Sequence, residues 1–171
     1  MRERQRYDLI LGIYLNVRGF AFVLFEGPFS PVDWGIIEIR GNKRMRRSLR
    51  RIGAIFGQYG PDALVLQNMS IKGVRRAKHI RSLNDAIRTL AETQSIPVHM
   101  YSRMQVRDYF QQFGLTNKDA IAEAIVRKIP VFERLIPPRR KIWNSESARM
   151  VLFDAIAMVL LFFRNALLHD N

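Results

Sequence analysis

Two apolar runs, Leu9–Tyr14 and Phe20–Phe25, flank the turn-forming stretch Asn16–Gly19, and their length and aromatic, β-branched content predict a buried β-hairpin. Gly27-Pro28 and Ser30-Pro31 punctuate the loop that follows. Val32–Ile39 then alternates around Trp34, Ile36, Ile37 and Ile39, which predicts a third strand. Three consecutive strands with short links imply an antiparallel meander. Beyond Gly41-Asn42 the period changes: Met45, Leu49, Ile52 and Phe56 recur at helical spacing in KRMRRSLRRIGAIFGQYG, and Gly60-Pro61-Asp62 ends that helix.

The second half alternates strands and helices, the pattern of parallel crossovers. ALVLQN is a short buried strand, and Met69–Val74 is a loop. The following helix, RRAKHIRSLNDAIRTLAETQ, has an apolar stripe of Ile80, Leu83, Ile87 and Leu90. Ile96–Tyr101 is a fifth strand. Ser102 caps a helix running to about Phe113, Thr116 or Asn117 caps another to Ile129, and Pro130 stops it. A proline-stiffened loop, 137–141, precedes a last helix from about Ser145 to Leu168. Its segment MVLFDAIAMVLLFF has the hydropathy of a membrane span, but Asp154 lies inside it and Arg149 and Arg164 interrupt its flanks. The uninterrupted apolar stretch falls short of the roughly 18 residues a span requires, so the reading is a buried core helix and no membrane association.

A length of 171 residues suits one domain over 1–171, with residues 1–7 as a flexible basic arm. There is no signal-peptide pattern, and the expected location is cytoplasmic. The absence of cysteine excludes disulfides, thiolate metal sites and thiol nucleophiles. His79, His99 and His169 show no metal-ligand spacing and read as ordinary surface or helix residues. P-loop, dinucleotide-binding, GxSxG and HExxH signatures are all missing.

Charge sharpens the picture. The net charge is +13, and it is clustered. Arg40, Lys43, Arg44, Arg46, Arg47 and Arg50 crowd the first long helix, and Arg51 extends the run without an interspersed acid. Lys72, Arg75, Arg76, Lys78 and Arg81 crowd the start of the second helix, and Lys118, Arg139, Arg140 and Lys141 add further cations. Such runs repel themselves unless a polyanion supplies the opposite charge, so nucleic acid is the leading partner class. Phe29, Trp34, Tyr101 and Trp143 are candidates for stacking on unpaired bases, with core packing as their commoner fate.

The order of these segments resembles the RuvC-like Holliday-junction resolvases of the RNase H-like superfamily. ILGIYLNVRGFAFVLFE is similar to that family's opening strand, turn and strand, and DWGIIEIRG to its third strand. DALVLQNMSIKGVRRAKHIRSL resembles its second acidic strand, loop and basic helix. SIPVHMYSRMQVRDYF, TNKDAIAEAI and FDAIAMVLL resemble the next strand and helix, the helix after that, and the terminal acidic helix. The resemblance spans roughly Leu9 to Phe163. It implies an α/β, RNase H-like (RuvC-like) fold: a mixed five-stranded sheet, its first three strands an antiparallel meander, flanked by helices.

The resemblance also implies metal-binding carboxylates at the end of the first strand, at the end of the fourth and on the last helix, because two-metal hydrolysis needs several acids around the cations. Here those positions hold Tyr14, Gln67 and Asp154, with Val151 at the further acid position one turn earlier. Asp154 alone is acidic, and it is the metal ligand if there is any. No cofactor is expected, or Mg²⁺ or Mn²⁺ if nuclease activity persists. Other readings stay open: Tyr14 as a core aromatic, Gln67 bonding backbone at a strand end, Asp154 as a buried carboxyl satisfied by a basic neighbour or held protonated. Asp33, Glu38 and Asp119 remain candidate substitutes, whereas Asp8 and Glu26 sit at outer strand ends. Glu146, placed eight residues before Asp154 on one helix, would lie about 12 Å away, too far to share a metal.

The resulting expectation is a protein that binds branched or structured DNA through basic helices and has lost cleavage. The alternatives are a Mg²⁺/Mn²⁺-dependent endonuclease with relocated ligands, and a basic module that docks an acidic protein. By resemblance, a homodimer and a recombination or replication protein are the expected partners.

Overall fold

A computed structural model describes residues 9–70, 78–139, 141–143 and 145–169. The expected arm at 1–7 and the basic positions Lys72, Arg75, Arg76 and Arg140 lie outside the described residues, as does Asp8. The elements are β1 (Ile10–Asn16), β2 (Gly19–Phe25), β3 (Pro31–Glu38), α1 (Arg44–Tyr59), β4 (Ala63–Gln67), α2 (Lys78–Thr93), β5 (Val98–Tyr101), α3 (Arg103–Gln111), α4 (Lys118–Lys128), a 3₁₀ segment at Pro130–Leu135, and α5 (Met150–His169).

The strands form one five-stranded mixed sheet in the order β3-β2-β1-β4-β5. β1–β2–β3 is the expected antiparallel meander, and β1–β4 and β4–β5 pair in parallel. Asn16 makes the hairpin tight: its side-chain oxygen accepts from the backbone N–H groups of Arg18 and Gly19, both at 2.9 Å. β1 is central because it is apolar on both faces. Leu11, Ile13 and Leu15 pack with α1 and α2, and Ile10 and Tyr14 pack with α4 and α5.

Helix α5 crosses the second face of the sheet. By length and composition Met150–Leu168 is apolar enough to span a membrane, so a shortfall of apolar residues does not decide its fate. Packing does: Val151, Leu152, Phe153, Ala155 and Ile156 are all buried in the core with β1, β2 and β4. Gly12 permits the close approach, since a β-carbon there would collide with Val159 of α5.

Several local readings differ from the fold. α1 buries Ser48, Ile52, Ile55 and Phe56, whereas Met45, predicted on its inner stripe, is 42% exposed. The helix begins only at Arg44, beyond the sheet edge, so its first turn overhangs the core. Pro130 ends α4 but also starts a 3₁₀ segment that drops Phe132 into the core beside Phe25, Trp34 and Phe153. His99 is not on a helix and is half-buried. It lies on β5 with its ring 4.9 Å from Phe162, and burial lowers its pKa, so the imidazole is a neutral packing group. The last helix starts at Met150 and not at Ser145, which leaves Glu146 in the loop before it.

Strand direction sets up the candidate site. β3, β1, β4 and β5 are mutually parallel, so their carboxyl ends share one edge. α1 and α3 begin just beyond that edge, after β3 and β5. α1 is tied to it by Arg44, whose guanidinium donates to the Val17 carbonyl in the β1–β2 turn at 3.0 Å.

Candidate functional site

At this edge a cleft of about 420 Å³ opens between β1, β4, β5, α3, α4 and α5. Tyr14, Gln67 and Asp154, which come from three separate elements, all line it. Their convergence follows from the topology: Tyr14 and Gln67 sit near the carboxyl ends of neighbouring parallel strands, and Asp154 lies one turn into the helix that packs across them. Val151 does not join them. It is 4% exposed and points into the core, where it is an ordinary apolar packing residue.

The neutral residues are tightly held. Tyr14 is 6% exposed and belongs to the core cluster as well as to the cleft, and Gln67 is 1% exposed. The Gln67 main-chain carbonyl accepts from the Asn84 side-chain amide at 3.0 Å, which locks the end of β4 to α2. Tyr101 closes β5 at the same edge, and burial raises its pKa against an opposing hydrogen bond with Asn165.

Lys118 is the unexpected member. As the first residue of α4, after the Asn117 cap, it has its ammonium 3.1 Å from Asp154 Oδ2 and 2.7 Å from Glu146 Oε1. It therefore belongs to the cleft and not to the free basic surface on which its charge placed it. Glu146 reaches the same ammonium because the chain before Met150 is not helical; the 12 Å separation expected along a continuous helix does not apply. Burial pushes the Asp154 carboxyl above its usual range, and the neighbouring ammonium pulls it only part of the way back. Lys118 is lowered by burial, but Asp154, Glu146 and Tyr14 outweigh that and hold it above its ordinary value.

The other candidate acids are engaged elsewhere. Asp33 accepts from the Tyr59 hydroxyl, Glu38 pairs with Arg40 at 2.9 Å, and Glu26 lies at the opposite end of the sheet from Tyr14. Asp119 follows Lys118 in the first turn of α4 and does not line the cleft. Among the described residues Asp154 is the one carboxylate lining the cleft, and no group of three or more His, Cys, Asp or Glu residues is placed to hold a metal ion. The residues present do not fit a two-metal centre: a phenol, an amide and a carboxylate already paired with an ammonium cannot supply the anionic oxygens that Mg²⁺ requires.

Away from the cleft, the surface at the start of α1 is cationic. Arg40, Lys43, Arg44, Arg46, Arg47 and Arg50 are exposed, and among the described residues no carboxylate pairs with the five residues of this run other than Arg40. Lys78 and Arg81 lie in the first turn of α2 as described. Arg103 and Arg107 on α3 line the cleft itself. The sequence reading passed over both, although Arg directly after the Ser102 cap was their signal. Neither α1, α2 nor α3 carries an acid in its first turn, so their cations oppose the helix dipoles unless an anion intervenes. Arg139 is paired with Glu123 at 3.1 Å, and Lys141 stands over the Trp143 ring at 5.6 Å. Phe29 and Trp143 are exposed, whereas Tyr101 is buried and Trp34 packs on Phe132.

No known family profile matches this chain, and no curated protein matches it in sequence. Its fold does have counterparts. The Thermus thermophilus RuvC structure superposes with a TM-score of 0.63 at 18% identity, over 92% of this chain and 95% of that one. T. thermophilus RuvC in complex with Holliday junction substrate gives 0.67 at 15% identity, covering 94% and 96%. The yeast mitochondrial Holliday junction resolvase gives 0.58 at 13% identity, covering 94% and 80%. The chain thus has the RuvC-like, RNase H-like fold of the Holliday junction resolvases, with a five-stranded mixed sheet whose strand-end edge is built around Tyr14, Gln67 and a Lys118–Asp154 ion pair.

Proposed function

We propose that this protein binds branched DNA, a four-way junction above all, and does not cleave it. The observation that carries this reading is the composition of the strand-end edge: α1, α2 and α3 start with Arg or Lys and no acid in their first turns, beside a cleft that lacks the carboxylates of a two-metal nuclease. Two of the structurally similar proteins, the T. thermophilus RuvC and the fowlpox virus resolvase, were solved with a Holliday junction. In this reading the α1 and α2 cations, with Arg103 and Arg107, follow the phosphate backbones and Trp143 is available to an unpaired base. Phosphate contacts fix position without reading sequence, so branch geometry is the property recognised. A homodimer matches the two-fold symmetry of such a junction.

The test scores binding and nicking separately, on a four-way junction and a matched linear duplex, in Mg²⁺, Mn²⁺ or EDTA. The expected result is junction-selective binding with no nicking in any buffer. Nicking by the unchanged protein in Mg²⁺ or Mn²⁺ overturns the inactive reading. Equal affinity for duplex and junction overturns the branched substrate.

A further inference from the structure

We propose that the Lys118 ammonium is this chain's own substitute for a divalent cation: a covalently tethered charge that ties Asp154 in the cleft to Glu146 in the loop before α5 and makes metal unnecessary there. The inference rests on the reading of the cleft as a metal-free resolvase-like site, and deepens it.

Three observations carry it. The first is geometry. Asp154 comes from α5 and Glu146 from the loop before it, and one ammonium on α4 contacts both, at 3.1 and 2.7 Å, across separations of 36 and 28 residues. One ammonium shared by two carboxylates from different segments resembles the work of a bound cation more than the single-partner surface pairs Arg40–Glu38 and Arg139–Glu123 do.

The second is burial. The side chains of Lys118 and Asp154 are 34% and 16% exposed, so their pairing is less screened than the other ion pairs described here. Lysine suits the task, being a compact point charge with three donors and no acceptor, directed at oxygens as a hard cation is.

The third is cost. Lys118 occupies the first turn of α4, where the helix dipole disfavours a cation, while Asp119 beside it is the type of residue that position prefers. The two carboxylates offset that penalty. Arg103 adds a weaker attraction at Asp154 in the same direction as Lys118, while burial still holds the carboxyl above its usual range. A divalent ion would compete with the ammonium for Asp154, and Tyr14 and Gln67, which line the same cleft, offer it no negative charge.

The experiment uses the full chain without DNA, so that it reads the cation site apart from junction binding. Mn²⁺ is titrated while free ion is followed by electron paramagnetic resonance, and Tm is measured in Mn²⁺ and in EDTA. The parent protein is expected to leave Mn²⁺ free up to millimolar concentration and to show the same Tm in both. Lys118→Met removes the charge but keeps the stem. It is expected to bind Mn²⁺ and to gain Tm with it by mass action, whereas Lys118→Arg stays indifferent and Lys118→Met/Asp154→Asn loses the gain.

Saturable Mn²⁺ binding by the parent overturns the proposal, and so does a folded Lys118→Met that ignores Mn²⁺. If Lys118→Met does not fold in EDTA, refolding on addition of Mn²⁺ is the same gain, and failure to refold counts against the proposal. A parent that ignores Mn²⁺ but also fails to select junctions would defeat the DNA reading while leaving the tethered cation standing.

Discussion

Gly12 of β1 and Val159 of α5 meet so closely that a β-carbon on Gly12 would overlap the valine methyl, with Val23 Cγ2 at 3.1 Å and the Ala155 carbonyl oxygen at 3.3 Å from the same point. This packing sets how deeply α5 sits on the sheet, and hence where Asp154 stands relative to Tyr14 and Lys118. Gly12→Ala is therefore expected to cost about 1–3 kcal/mol, the usual penalty of overpacking a filled core. Urea unfolding measures it as a lower midpoint at unchanged slope. An unshifted midpoint would show that α5 slides freely over β1.

The Asp154 carboxyl carries a pH signature. Burial raises its pKa above the ordinary 3.8, so the folded chain holds this proton more tightly than the unfolded chain does. Its contribution to stability is complete below the unfolded value and is lost as pH rises through the folded one. Lys118, raised from 10.5, stays charged throughout that acidic window. Asp154→Asn cannot ionise, so its stability relative to the parent should improve as pH climbs from the ordinary carboxylate range towards the raised native value, then level off. Thermal unfolding of both proteins across that window reads the difference, and a constant offset would contradict the assigned burial.

Ser102 closes β5 and opens α3 with a reciprocal pair of bonds: its hydroxyl accepts from the Gln105 N–H at 3.1 Å, and the Gln105 side-chain oxygen accepts from the Ser102 N–H at 2.8 Å. Ser102→Ala should cost about 1 kcal/mol. Because α3 carries Arg103 and Arg107 into the cleft, junction affinity should fall with it at physiological salt. Stability and affinity are separable here, since Gln105→Ala removes only the returning bond. An unchanged affinity in Ser102→Ala would remove α3 from the DNA surface.

Arg46 and Arg50 are exposed on α1, one turn apart. If each neutralises a phosphate, Arg46→Gln/Arg50→Gln should flatten the slope of log affinity against log salt by about 0.9 for each phosphate that is no longer neutralised. Folding stability should stay within about 0.5 kcal/mol of the parent, as for surface substitutions generally. Fluorescence anisotropy with a labelled junction over a salt series measures the slope. An identical slope would place the DNA on another face.

Much of this architecture was readable along the chain, because its signals act between near neighbours. The two apolar runs around Asn16–Gly19, the alternation in β3, the caps at Ser102 and at Thr116 or Asn117, which the structure settles as Asn117, and the stop at Pro130 each depend on residues within a turn or two of one another. That positions 14, 67 and 151 hold no acid was equally legible, since it is a matter of which residue stands at a strand end or on a helix turn. Local periodicity misplaced Met45, because α1 starts beyond the sheet edge and its first turn has no core beneath it.

What only the tertiary structure decided is how distant charges meet. By sequence Lys118 was one more cation on a basic chain, and Glu146 was an acid too far along a helix to matter. The parallel pairing of β1, β4 and β5 brings the start of α4 beside the first turns of α5, and the non-helical chain before Met150 lets Glu146 turn back to the same ammonium. Secondary structure is written in neighbouring residues. A site assembled from residues 28 and 36 positions apart is written in the packing of whole elements, which no local pattern contains.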